Sequence, residues 1–101
     1  MTPDARRDLV FSLLKSVPSG SVVTYASLAR AAGTHPRAVA AWMRGNRDPE
    51  GVPCFRVVMS DGRIGGYSAP GGPAMKEELL RKSGVMVERG RIDIVRHLYR
   101  F

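Results

Sequence analysis

The sequence predicts a single, mostly helical domain with a small β element, of the winged helix-turn-helix type. Three observations predict it. Apolar residues recur at helical spacing over residues 9–17 and again over 25–44. Within 25–44 the pattern breaks once, at a glycine-containing turn, so that two short helices lie in tandem. Beyond residue 50, brief apolar runs alternate with Gly, Pro, Asp and Ser, which is the pattern of short strands and turns. A chain of 101 residues can bury one core and has no room for a second, so residues 1–101 are expected to form one domain.

The first helix is expected from Pro3 or Asp4, with Leu9, Val10, Leu13, Leu14 and Val17 on its apolar face. The Pro-Ser-Gly-Ser run at 18–21 ends it as a turn, and Val22 and Val23 form a short extended piece. Thr24 can cap a second helix over Tyr25–Ala32, whose Leu28, Ala29 and Ala32 face inward, and Gly33 stops it. Thr34 is the expected cap of the third helix, with Pro36 in its first turn and Arg44 near its end. That helix carries Val39, Trp42 and Met43, and its small Ala38, Ala40 and Ala41 permit close approach to a neighbour or to a DNA backbone. Gly45, Asn46 and residues 47–51 read as a loop, and residues 52–58 as an extended segment. A hairpin turn at 60–63 with a return over 64–67 would make a wing. Pro73 opens a further helix through Leu80; residues 85–87 and 92–94 read as short strands, and His97, Leu98 and Tyr99 as closing apolar packing.

Sixteen Lys and Arg against nine Asp and Glu give a formal charge of +7. The excess is mostly arginine, whose planar fork matches phosphate oxygens. An anionic partner such as nucleic acid and a plain solvated basic surface both fit that balance. The tandem helices likewise fit either a DNA-binding unit or a compact bundle. The N-terminal octapeptide has no apolar signal core and no later stretch approaches a membrane span, so a cytoplasmic, nucleoid-associated location is expected. Cys54 is the one cysteine, which excludes an intrachain disulfide. By itself it reads either as a small buried hydrophobe or as a reactive thiol that needs a base, a cation or a helix N-terminus to favour its thiolate.

The segment Val52-Pro53-Cys54-Phe55-Arg56-Val57-Val58 resembles the Pro-Cys-His-Arg-Val active-site motif of the DNA alkyltransferases that repair O6-alkylguanine. The resemblance extends in order from about Leu9 to Val87. Residues 23–29 resemble the family's first helix of the helix-turn-helix. Arg37-Ala38-Val39 and Met43-Arg44-Gly45-Asn46 resemble its recognition helix and the asparagine that follows. Gly65-Gly66-Tyr67-Ser68, Lys76 and Leu79-Leu80 continue the match.

The resemblance implies a protein that binds double-stranded DNA in the minor groove and flips an alkylated base into a pocket. It then transfers the alkyl group irreversibly to Cys54, as a monomer and without metal or cofactor. On that likeness Arg37 fills the gap left by the base, with Tyr25, Ala38 and Arg44 also on the DNA. Met43, Phe55, Val57, Gly66, Tyr67 and Ser68 line the base pocket, and Asn46 joins Cys54 at the catalytic centre. The chain departs from the family's pattern at two relay positions. Phe55 stands where the histidine that deprotonates the thiol is usual, and Ser83 where its orienting glutamate is usual. The loop between Gly33 and Arg37 is shorter, and no counterpart of the family's N-terminal domain is expected in these residues. A phenyl ring cannot shuttle a proton, and general-base help is worth about a hundred- to ten-thousand-fold. Glu77, Glu78 and Tyr67 are the substitutes the sequence offers. As an alternative the chain resembles the alkyltransferase-like proteins, which recognise alkylated bases and flag them for other repair pathways; the missing histidine argues for that reading, and keeping Cys54 argues for transfer.

Overall fold

The computed structural model describes residues 1–101. Helix α1 spans Pro3–Lys15. The Thr2 hydroxyl accepts the Ala5 N–H at its start, Pro3 occupies the first turn, where a missing N–H costs nothing, and Lys15 sits at the negative end of the dipole. Val10 and Leu14, one turn apart, and Val17 beyond the helix are buried, as the apolar spacing predicted.

Strand β1 is Val23–Thr24, and helix α2 follows at once over Tyr25–Ala32. Thr24 and Ser27 cap α2 reciprocally: each side-chain oxygen accepts the other's backbone N–H. Gly33 ends the helix with φ 69°, a left-handed conformation that glycine adopts without steric cost. Helix α3, Pro36–Arg44, begins only three residues later. Its cap is His35, whose Nδ1 accepts the Arg37 N–H at 3.1 Å, and not Thr34 as the sequence suggested. The short loop leaves Thr34 bound through its own N–H to the Ala29 carbonyl, still finishing α2.

The expected extended segment 52–58 is extended only at its end. Cys54–Arg56 is a single 3₁₀ turn, closed by the Val57 N–H on the Cys54 carbonyl, and Val57–Val58 is strand β2. β2 pairs in parallel with β1, Val23 opposite Val57 and Thr24 opposite Val58. Successive strand residues face opposite sides. Val23 and Val57 therefore enter one core with Val10, Leu14, Leu28, Val39 and Met43 from α1–α3. Val22 and Val58 enter the other, with Ile64, Leu80, Val85, Val87 and Ile92. The small sheet is the partition between two hydrophobic clusters, and Cys54 stands at its end.

The turn after β2 forms, with the Met59 N–H on the Arg63 carbonyl and the Gly62 N–H on the Met59 carbonyl. Its return does not ladder back on β2. Gly62 (φ 91°) swings the chain away, and Arg63 bridges Arg91 instead. The strands expected at 85–87 and 92–94 reduce to isolated bridges around a tight turn, in which Arg89 and Gly90 both have positive φ. Helix α4 runs over Gly72–Lys82, and a last short helix, α5, over Ile94–His97, capped by Asp93, takes the place of the strand end at 94. His97 is buried, held between the Gly20 carbonyl and the Met86 N–H. No helix is long and apolar enough to cross a membrane.

Candidate functional site

One cavity of about 300 Å³ opens beside Cys54, between α2, α3 and the loop after Gly65. Tyr25 enters it from the first position of α2, and Ala40, Met43 and Arg44 from α3. Gly66, Tyr67 and Ser68 form the far wall. Cys54 lies at its inner side, 7% exposed, and is the only thiol. The Ser68 hydroxyl donates to the Arg44 carbonyl at 3.2 Å, which ties that wall to the end of α3. A side chain at Gly66 would meet no atom within 4 Å, so its backbone presents an unobstructed face.

Asn46 acts behind the cavity. Its Nδ2 donates to the Val52 carbonyl at 2.9 Å and its Oδ1 accepts the Asp48 N–H at 3.0 Å. It thereby clamps residues 46–52 into a closed loop that delivers Cys54. Val57 is fully buried in the first core and Phe55 packs on the second, with the Arg56 guanidinium 4.8 Å over its ring. Neither lines the cavity, although the sequence placed both there. Phe55 is apolar, and the 3₁₀ turn carries the residue after Cys54 towards the second core. Arg37 and Ala38 also lie outside the cavity, on the first turn of α3. Arg37 is exposed and makes no ion pair. Its place one turn before Ala40 and two before Arg44 puts all three on one helical face, leading to the cavity mouth. The sequence reading missed Ala40, which the i, i+3 spacing from Arg37 and to Met43 could have shown.

A second residue was matched to the family in the sequence but given no role there. Lys76, on α4, is 1% exposed. Its Nζ donates to the Val57 carbonyl at 2.7 Å and to the Gly66 carbonyl at 3.1 Å. Burial pushes its ammonium down to about 8, against an opposing pull from the Cys54 charge. The Tyr25 and Tyr67 phenols are both pushed up, by burial first and the Cys54 charge second; Arg44 offsets part of this at Tyr25. Both phenols thus stay protonated and remain donors. Glu77 and Glu78, two of the expected substitutes for the missing histidine, pair with Arg81 at 2.6 Å and Lys82 at 3.3 Å along α4 and do not line the cavity. Ser83 caps α4, its hydroxyl donating to the Leu80 carbonyl. Neither histidine is at the cavity.

A tandem helix pair, with an unpaired arginine on its leading face and a cavity holding one thiol behind it, defines a class: a small helical domain built around a cysteine pocket. The comparison with known families is consistent with that description. Residues 5–85 match the DNA-binding domain of 6-O-methylguanine DNA methyltransferase, and the chain belongs to that family.

Among its relatives is the bifunctional methyltransferase/endonuclease of Picrophilus torridus, 44% identical over 94 residues. These are 91% of this chain and 30% of that protein. The human methylated-DNA–protein-cysteine methyltransferase is 48% identical over 80 residues, 77% of this chain and 38% of the relative. The chain thus spans well under half the length of these relatives. The O6-methylguanine-DNA methyltransferase structure from Pyrococcus kodakaraensis superposes with a TM-score of 0.71 at 45% identity, over 84% of this chain and 48% of that one. S. pombe Atl1, solved in complex with damaged DNA containing O6-carboxymethylguanine, superposes over the whole of both chains with a TM-score of 0.90. At 23% identity that likeness concerns the fold.

Proposed function

We propose that this chain is a DNA repair protein that binds duplex DNA along the minor groove and rotates an O6-alkylated guanine, or a related alkylated base, into the cavity beside Cys54. It then moves the alkyl group irreversibly onto that sulfur. The observation that carries this reading is the cavity: it is roomy enough for a purine, and the one thiol of the chain lies at its inner side. On this reading α2 and α3 act as a helix-turn-helix with the turn at 59–63 as its wing. Arg37 enters the stack where the base has left, and its guanidinium bonds the orphaned partner. Tyr25 and Arg44 flank the rotated phosphate, and Met43, Tyr67 and the Gly66–Ser68 backbone hold the base. Unstacking costs a few kcal/mol, which contacts of the basic surface to phosphate offset. The protein works as a monomer, without metal or cofactor, and its place is the nucleoid.

The fate of position 55 supports a second reading, recognition without transfer: no histidine or carboxylate stands at the cavity. Intact mass after incubation with a duplex carrying O6-methylguanine separates the two. A gain of one methylene, mapped to Cys54 and absent in Cys54→Ser, is the result expected of a transferase. Tight, lesion-selective binding with unchanged mass would overturn transfer and leave recognition.

A further inference from the structure

Gly33, Thr34 and His35 alone separate α2 from α3, so their backbone sets the direction in which α3 leaves α2. Within the pair the turn is held by the Thr34 N–H on the Ala29 carbonyl at 2.9 Å and the Arg37 N–H on the His35 Nδ1 at 3.1 Å. One side chain from outside the pair also bonds it. Arg6 of α1 donates from its Nη1 to the Ala32 carbonyl at 2.7 Å and to the Gly33 carbonyl at 3.0 Å. Carbonyls at the end of a helix have no donor within it and carry the negative end of its dipole, so a cationic donor suits them twice over. Arg6 stands one turn before Val10 and two before Leu14, at the outer end of the buried face of α1. No carboxylate competes for it: Asp4 and Asp8 both pair with Arg7. Gly33 makes room for the guanidinium, since a Cβ there would lie 2.7 Å from the same Nη1.

We infer that Arg6 is a positioning residue for DNA reading: it fixes the turn from α1 and so aims α3, with Arg37 in its first turn, at the duplex. This rests on the DNA-binding reading of α2 and α3 and deepens it. The line from Arg6 to Arg37 is short. The Ala32 and Gly33 carbonyls belong to two successive peptide planes, and bonding both to one nitrogen fixes the rotation between them. His35 follows, and its ring holds the Arg37 N–H. Arg37 is exposed and makes no ion pair, so its own side chain does nothing to correct its direction. Arg37, Ala40 and Arg44 share one helical face, and a swing of the turn moves all three together. Loss of the two bonds lowers the fraction of molecules whose turn is in place. If that fraction falls to about a tenth, the apparent affinity for DNA falls about tenfold.

Arg6→Met keeps the apolar stem and removes the donors, and two measurements on it test the inference. The first is affinity for an undamaged duplex and for one carrying O6-methylguanine, each titrated across a range of salt. Binding is expected to weaken about tenfold with the salt slope unchanged, because no phosphate contact is lost. Unchanged affinity would overturn the inference. So would a loss accompanied by a slope smaller by about 0.9, which would make Arg6 a phosphate contact. The second is free of DNA: amide hydrogen exchange at Thr34, relative to the amides of α1. It is expected to quicken about tenfold, since bonds to a charged group are worth at least that much, and an unchanged ratio would overturn the inference. Arg6→Lys, a point charge in place of a fork, is expected between the two proteins in both readouts. It carries the test, with the same refutations, should Arg6→Met not fold. A wild type that binds neither duplex sinks the DNA-binding reading and the inference with it. A wild type that binds, with an Arg6→Met protein that binds equally well, sinks the inference alone.

Discussion

Replacing Asn46 by alanine removes two hydrogen bonds from the loop that delivers Cys54. One is the Nδ2 bond to the Val52 carbonyl at 2.9 Å; the other is the Asp48 N–H bond to Oδ1 at 3.0 Å. Each such bond is worth about 0.5–1.5 kcal/mol net. The loop keeps its Val52 N–H bond to the Asp48 carbonyl at 2.8 Å, so it loosens without opening fully. The sum is about 1–3 kcal/mol, at the upper end if the Val52 carbonyl, in a buried residue, is left without a donor. For a domain of this size that lowers Tm by about 4–8 °C per kcal/mol, so a fall of roughly 10 °C is expected in calorimetry. Asn46→Asp separates the halves. It keeps the acceptor for Asp48 and loses the donor for Val52, placing a carboxylate against a carbonyl oxygen, so it is expected to be at least as destabilised as the alanine variant. An Asn46→Ala protein that melts with the wild type, or an Asn46→Asp protein that is restored to it, would refute the clamp.

Arg37 is exposed and unpaired, so Arg37→Ala is expected to leave stability within about 0.5 kcal/mol. It should cost most of the preference for a lesion-bearing duplex in a binding titration; equal loss on damaged and undamaged duplexes would mark it as a phosphate contact instead. Gly33→Ala forces a Cβ into a left-handed residue, 2.7 Å from the Arg6 Nη1 that bonds the Ala32 and Gly33 carbonyls. A loss of about 1–2 kcal/mol in urea unfolding is expected, and no loss would mean that the turn can relax. The buried Lys76 also predicts how stability varies with pH. Its folded value of about 8 lies below its ordinary 10.5, so the unfolded chain binds more protons between those limits, and stability rises with pH across that window by at most about 3 kcal/mol. Above pH 10 the raised Tyr25 and Tyr67 act the other way. Urea midpoints in Cys54→Ser at pH 7.5 and 9.5 test this, and a flat or falling trend would refute it.

The helical part of the fold was legible because its signals are local. Thr24, Gly33 and Pro36 act on residues within one turn of themselves, and the apolar spacing of α1 needs no distant partner. The β part was read less well because it depends on long-range pairing. Residues 57–58 look like one arm of a hairpin, but their partner is β1, more than thirty residues earlier, while the return of the turn pairs with residues 90–92. At the site, Cys54 and the walls from α2 and α3 were legible through motif and helical spacing. Lys76 was matched by motif but its place was not legible, because nothing in the order of residues tells a solvated lysine of α4 from a buried one; only the packing of α4 against the 3₁₀ turn does.

That packing also separates what stands at position 55 from the shape of the cavity. The turn Cys54–Arg56 projects successive residues to different sides of the sheet: Cys54 belongs to the first core and Phe55 to the edge of the second. What sits at position 55 therefore affects the second core and the Arg56 stack, whereas the cavity is framed by α2, α3 and the loop at 66–68, and fixed by Asn46 on one side and Lys76 on the other. An apolar ring at 55 can bury itself there while the cavity keeps its walls. Lys76 reaches across from α4 to both the turn, through the Val57 carbonyl, and the opposite wall, through the Gly66 carbonyl, and so holds the two sides together whatever ring stands at 55.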